Sequence, residues 1–170
     1  DKDEIQMIHY PDFFEEGYKH KYDKDIYHYL DSVARDDQYQ MDRGFCHRLL
    51  RCSVVIWQFK NINELIEKYN EVINVLENSY DGEPNTSDIQ QLKGMIREFE
   101  EELVWAYNGV LVKNVHHLHL GFYQDKGITK GPNMERDVMP ILNQFREIQP
   151  DIISVTLDPE GSGPDTHYKV

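Results

Sequence analysis

Apolar residues recur at helical spacing through most of the first 107 positions, and that periodicity limits the fold more than any single motif does. Ile26, Tyr29, Leu30 and Val33 share one face of a helix that Asp23 or Asp25 is placed to cap. Positions 43–60 carry Phe45, Leu49, Leu50, Val54, Ile56 and Trp57. They read as a strongly apolar helix, although Cys52-Ser-Val-Val-Ile-Trp57 taken alone resembles a strand. Asn61-Ile-Asn63 breaks it. Asn63 then caps an amphipathic helix whose stripe is Leu65, Ile66, Tyr69, Val72, Ile73 and Leu76. Ser79-Tyr-Asp-Gly-Glu-Pro-Asn-Thr86 is dense in turn formers and marks a loop. A long helix follows from Thr86 or Ser87, with Ile89, Leu92, Ile96, Phe99, Leu103 and Tyr107 on its stripe. It closes at Asn108-Gly109.

Beyond Gly109 the pattern changes. Positions 110–120 predict one strand or two short ones, and 121–132 a glycine-bearing loop. Asn133 caps a helix through Met134, Val138, Ile141, Leu142 and Phe145. Pro140 is expected to kink it and Gln149-Pro150 to stop it. Positions 152–157, beginning Ile152-Ile-Ser-Val-Thr156, predict a second strand. Strand, loop, helix and strand at this spacing make a βαβ unit with parallel strands. The expected class is therefore α/β: helix-rich, with a short, mainly parallel sheet. The loop at 79–86 divides a helical segment, 1–80, from an α/β segment, 86–170.

Composition sets outer limits. At 170 residues, 39% hydrophobic and 29% charged, the chain is an ordinary globular length and can bury a core. A net charge of −13 and a pI near 4.9 work against nucleic-acid backbones and anionic membranes, which would repel it at long range. The same acidity serves solubility. No apolar run reaches the ~18 residues that a membrane helix needs. Asp1-Lys-Asp-Glu4 carries neither an initiator Met nor a secretory pattern, and reads as an internal start. Two cysteines, Cys46 and Cys52, are too few for a disulfide framework, so a reducing cytoplasm is expected.

Several residue groups could carry chemistry. Val115-His-His-Leu-His-Leu120 holds three histidines. On a strand, His117 and His119 share a face and His116 takes the other, so the three do not converge on one ion. A solvated strand edge is the adopted reading. His9-Tyr-Pro-Asp12 and His20-Lys-Tyr-Asp23 pair a histidine with a carboxylate three residues on, a spacing common in a chain with 31 acids. The segment 127–132 lacks the spacing of a phosphate-binding loop, though Lys126 and Lys130 could meet an anion. The end of the chain is more telling. Asp158 follows the second strand, Pro159, Gly161, Gly163 and Pro164 force a tight path, and His167 arrives at a helix start capped by Asp165 or Thr166. A strand-end histidine of this kind suits a metal ligand or a general acid–base. A capping turn with an incidental histidine has the same composition.

Taken in order, Lys93-Gly-Met-Ile-Arg-Glu-Phe-Glu100, Gly109-Val110, Val115-His-His-Leu-His-Leu-Gly-Phe-Tyr123, Asp158-Pro159 and Thr166-His-Tyr-Lys-Val170 resemble a deacetylase-like domain of the LmbE/PIG-L type. The version resembled is the one joined to glucosamine-6-phosphate deaminase/isomerase-like proteins. The resemblance covers roughly residues 86–170. It implies a Rossmann-like fold, here incomplete and cut at both ends, with residues 1–80 as a helical insertion. It implies zinc, an amino-sugar substrate and removal of an N-acetyl group. His167 matches a metal ligand, Arg97, Glu100 and Tyr123 match substrate contacts, and Asp158 stands where a catalytic carboxylate would orient the site. The early His-Pro-Asp-Asp motif of the family is absent from this sequence, and Pro164 replaces a second late histidine.

A catalytic zinc needs three protein ligands and an open position. One histidine leaves that site incomplete, so the expectation is an inactive segment of a sugar deacetylase-like protein. The alternatives are a non-catalytic interaction or regulatory module, and a plain helical scaffold. A sheet lacking its central strands would expose its edges, so a homo-oligomer or completion by further chain is expected. Neither nucleic acid nor membrane is an expected partner.

Overall fold

The structure, a computed structural model, describes residues 22–120 and 133–155. The chain divides into two compact units, Asp1–Val115 and His116–Val170.

Within the first unit, α1 spans Tyr22–Ala34, α2 Gln38–Trp57, α3 Ile62–Asn78 and α4 Ser87–Tyr107. Local chemistry fixes their ends. Asp36 turns the chain at φ 53°, and the Asp37 carboxylate accepts the Gln40 amide at 3.1 Å to open α2. Gln58 stops α2 in the left-handed region, its N–H donating to the Val54 carbonyl. Asn61, rather than the expected Asn63, caps α3. Its side chain accepts the amides of Asn63 and Glu64, while Glu64 reaches back to the Lys60 amide at 2.9 Å. Gly109 ends α4 at φ 84°, and the Val110 amide donates back to the Trp105 carbonyl.

Helices α1, α2 and α4 pack on one another in all three pairings. Their shared core holds Ile26 and Phe99, both with no exposed surface, together with Val112; Leu30, Phe45, Leu103 and Ala106 pack around them. The rings of Tyr29 and Phe45 meet Phe99 edge-on, at centroid distances of 6.2 and 5.8 Å. A second cluster, Val54, Phe59 and Leu65, ties the end of α2 to α3. Residues on both sides of the 79–86 loop thus build one core, since α4 packs on α1 and α2. The outer part of the α3 stripe stays uncovered: Ile66, Ile73 and Leu76 are exposed.

The expected α/β class, with a Rossmann-like parallel sheet, is overturned. Among the described residues there is helix and no strand. Where a strand was expected at 110–120, Val112–Asn114 forms a single 3-10 turn, and His119 adopts φ 48°. The reason is packing. Val112 plugs the core against Ile26 and Phe99 from this 3-10 turn, and no neighbouring strand among the described residues offers its backbone a ladder. At 152–155 the chain is irregular, with Ile152 83% exposed. A β-branched run supplies propensity, but a strand also needs a neighbour for its backbone and a face to bury.

In the second unit Asn133 does cap a helix, accepting the amides of Glu135 and Arg136. The first turn, Met134–Val138, is π-helical, and α5 follows at Met139–Ile148. The Met139 amide reaches back five residues to Met134. Pro140 has no N–H to continue the ladder, so the widened turn lies just before it, where a kink was expected. Buried Asp137 accepts the Asn133 amide at 2.7 Å and the Arg136 guanidinium at 2.8 Å. Gln149 ends α5 at φ 52°. No helix among the described residues is long and apolar enough to cross a membrane.

Candidate functional site

The stripe of α4 continues past the core onto its surface. Leu103, Val104 and Tyr107 sit three, four and seven residues after Glu100, so all four share one side of the helix. Opposite them α1 presents Tyr29, Leu30 and Val33. The two rows enclose an open groove of about 350 Å³, floored by apolar side chains. Val104 is 60% and Tyr107 73% exposed. Side by side, these two side chains offer apolar surface along one edge of the groove. Glu100 is the charged residue among those lining the groove.

Behind the groove, α1, α2 and α4 are keyed together by charge. Arg51 of α2 donates through Nε and a terminal nitrogen to both oxygens of Asp25 on α1, at 2.8 and 3.3 Å. Arg48, 2% exposed, lies 2.9 Å from Glu102 of α4 and 3.6 Å from Asp25. Its guanidinium stacks 4.5 Å from the centre of the Phe99 ring. Each of these cations lies beside a carboxylate, which is the condition for burying it. Sequence reasoning offered Asp25 as a helix cap; it is instead a buried ion-pair partner. The signal for this cluster was two arginines one turn apart inside an apolar helix, where unpaired charge would be intolerable.

A second knot joins α2, α3 and α4. The Trp57 indole N–H donates to Asp88 at 2.9 Å, and Lys68 lies 3.3 Å from the same carboxylate and 5.5 Å from the Trp57 ring centre. The Thr86 hydroxyl and the Trp57 N–H hold the Asp88 carboxyl far below the usual aspartate range. Burial works against the charge of Lys68, but Glu71 and Asp88 outweigh it and keep the amine above its ordinary value. Nearby, Ser53 and Tyr69 share a 2.6 Å hydrogen bond, and burial raises the Tyr69 phenol despite it.

Of the expected site residues, Arg97 and Glu100 lie among the described residues. Arg97 and Glu100 are both exposed on α4, and only Glu100 lines the groove. Tyr123, Asp158 and His167 lie outside the described residues, as do His9, Asp12 and His20. His116, His117 and His119 are off any strand, so alternation does not set their directions; the rings of His117 and His119 stand 6.5 Å apart. Among the described residues no three His, Cys, Asp or Glu side chains are placed to hold a metal ion. The zinc that the resemblance implies would be held at His167, outside those residues.

No family model matches the chain, and no solved structure matches it. It is similar to a glucosamine-6-phosphate deaminase-like protein of Bacteroides thetaiotaomicron, with 38% identity over 109 residues. That stretch is 61% of this chain but 16% of the relative, so the likeness spans a small part of a much longer protein.

Proposed function

We propose that this chain is a non-catalytic helical association module of a protein concerned with amino-sugar phosphates. The groove between α1 and α4 carries the reading: it is apolar, open and backed by a rigid, charge-keyed bundle. Within that bundle Arg48 and Arg51 pair with Glu102 and Asp25 across helices, which suits a scaffold. The amino-sugar part rests on the relative named glucosamine-6-phosphate deaminase-like. The hydrolase reading would need His167, Asp158 and further ligands to meet around zinc, and draws no support from the described residues.

The test is turnover by the purified 170-residue chain. Glucosamine-6-phosphate and N-acetylglucosamine are supplied in separate assays, with and without added zinc, and ammonia and acetate are measured. Neither product should exceed the protein-free control. Acetate release together with stoichiometric bound zinc would restore the deacetylase reading, and ammonia release would make the chain itself a deaminase.

A further inference from the structure

We infer that the α1/α4 groove receives one amphipathic helix of a partner, carrying an apolar stripe and a basic side chain set against Glu100. The inference rests on the association reading and names the occupant of the same site.

Shape favours a helix. Helices α1, α2 and α4 pack in all three pairings, and the groove runs between two of them. A helix laid there would make a fourth member of the bundle by ordinary ridge-and-groove packing. From Glu100 to Tyr107 the groove wall rises about 10 Å at the helical rise per residue, two turns of contact. That length suits an occupant reading i, i+3 or i+4, and i+7. Chemistry sets the rest. The floor (Leu30, Val33, Leu103, Val104) offers apolar contact, and Tyr29 and Tyr107 add aromatic edges. Glu100 is the charge on the rim, within a molecule of net −13. A cationic helix is drawn to such a surface at long range and finds a carboxylate on arrival. A second copy of this chain would bring its own −13 and be repelled.

The probe is a synthetic labelled peptide of about 18 residues, long enough for an alanine-rich helix, with leucine at i, i+3, i+4 and i+7, lysine at four outward positions and alanine at the rest. Its twin replaces every lysine with glutamate. Binding to the 170-residue chain is followed by fluorescence anisotropy at low and high salt. The lysine peptide should bind at least about tenfold tighter than the twin, a difference of about 1.4 kcal/mol. Val104→Lys should weaken it about tenfold. Glu100→Gln should weaken it a few-fold and flatten its salt dependence. Ile66→Lys adds the same charge on the exposed face of α3 and should leave binding within about twofold. Val104 is largely exposed, so an unchanged circular dichroism melt confirms that Val104→Lys still folds.

Equal losses in Val104→Lys and Ile66→Lys would reduce the binding to bulk charge and overturn the proposal. So would equal binding of the twin, or no binding at all. A chain that sediments as a dimer, and that Val104→Lys makes monomeric, would hand the groove to a second copy. Failed peptide binding without turnover removes this occupant and leaves the association reading; turnover removes that reading itself.

Discussion

Arg48 sits mid-helix among apolar residues with 2% of its surface exposed, and Glu102 and Asp25 come to it there. Its role could be suspected from its neighbours in sequence, but its partners lie 54 and 23 positions away, beyond the reach of periodicity. Asp88 makes a testable case at the same scale. Its carboxyl is held far below the ordinary value by Thr86 and Trp57, so the folded chain keeps it ionised where the unfolded chain would protonate it. A depressed folded value gives stability that is complete above the unfolded aspartate pKa of about 3.9 and is lost as pH falls below it. Asp88→Asn should therefore lower the melting temperature near neutrality, and the gap to the parent should close as the pH drops below about 4. Melting curves across acid pH decide it; a gap that stays constant down to strong acid would remove the carboxylate from the account.

Helix ends show which elements were legible and why. Gly109, Asn133 and Gln149-Pro150 mark ends because capping chemistry is local: a side chain or a left-handed residue meets backbone groups two to five positions away. Asn61 and Asn63 are both good caps in sequence, and only the backbone path chooses Asn61. The strands were illegible for the opposite reason. Ile152 to Val155 have strand propensity, but a ladder is a long-range object, and Val112 finds its partner in the helical core instead. Since Asn61 receives two orphan amides of α3, Asn61→Ala should cost about 1 kcal/mol. Urea unfolding measures the loss, and Asn63→Ala serves as the control. Equal losses in both variants would mean that the cap is shared and that the assigned start of α3 is misplaced.

For the molecule as a whole, two electrostatic effects compete. The surface carries a net −13, which opposes compaction, while the buried pairs around Arg48 and Arg51 hold the bundle together. Salt separates them. Repulsion among exposed charges fades as the Debye length shrinks to about 8 Å at physiological ionic strength, whereas buried pairs are screened far less. The candidate site was legible only as far as Glu100, because a groove between α1 and α4 exists only once α2 has set their spacing, and no motif encodes that spacing. The same acid excess that argued in sequence against nucleic acid and anionic membranes now tells where stability is lost. Adding sodium chloride from very low ionic strength to the physiological range should raise the melting temperature. Sodium chloride and potassium chloride should act alike, because screening depends on charge and concentration rather than on a specific ion. A melting temperature that falls with salt would mean that exposed pairs such as Arg35–Asp31 and Lys68–Glu71 contribute more than the net charge costs. That result would be unexpected for pairs of this exposure, which are worth about 0–1 kcal/mol each.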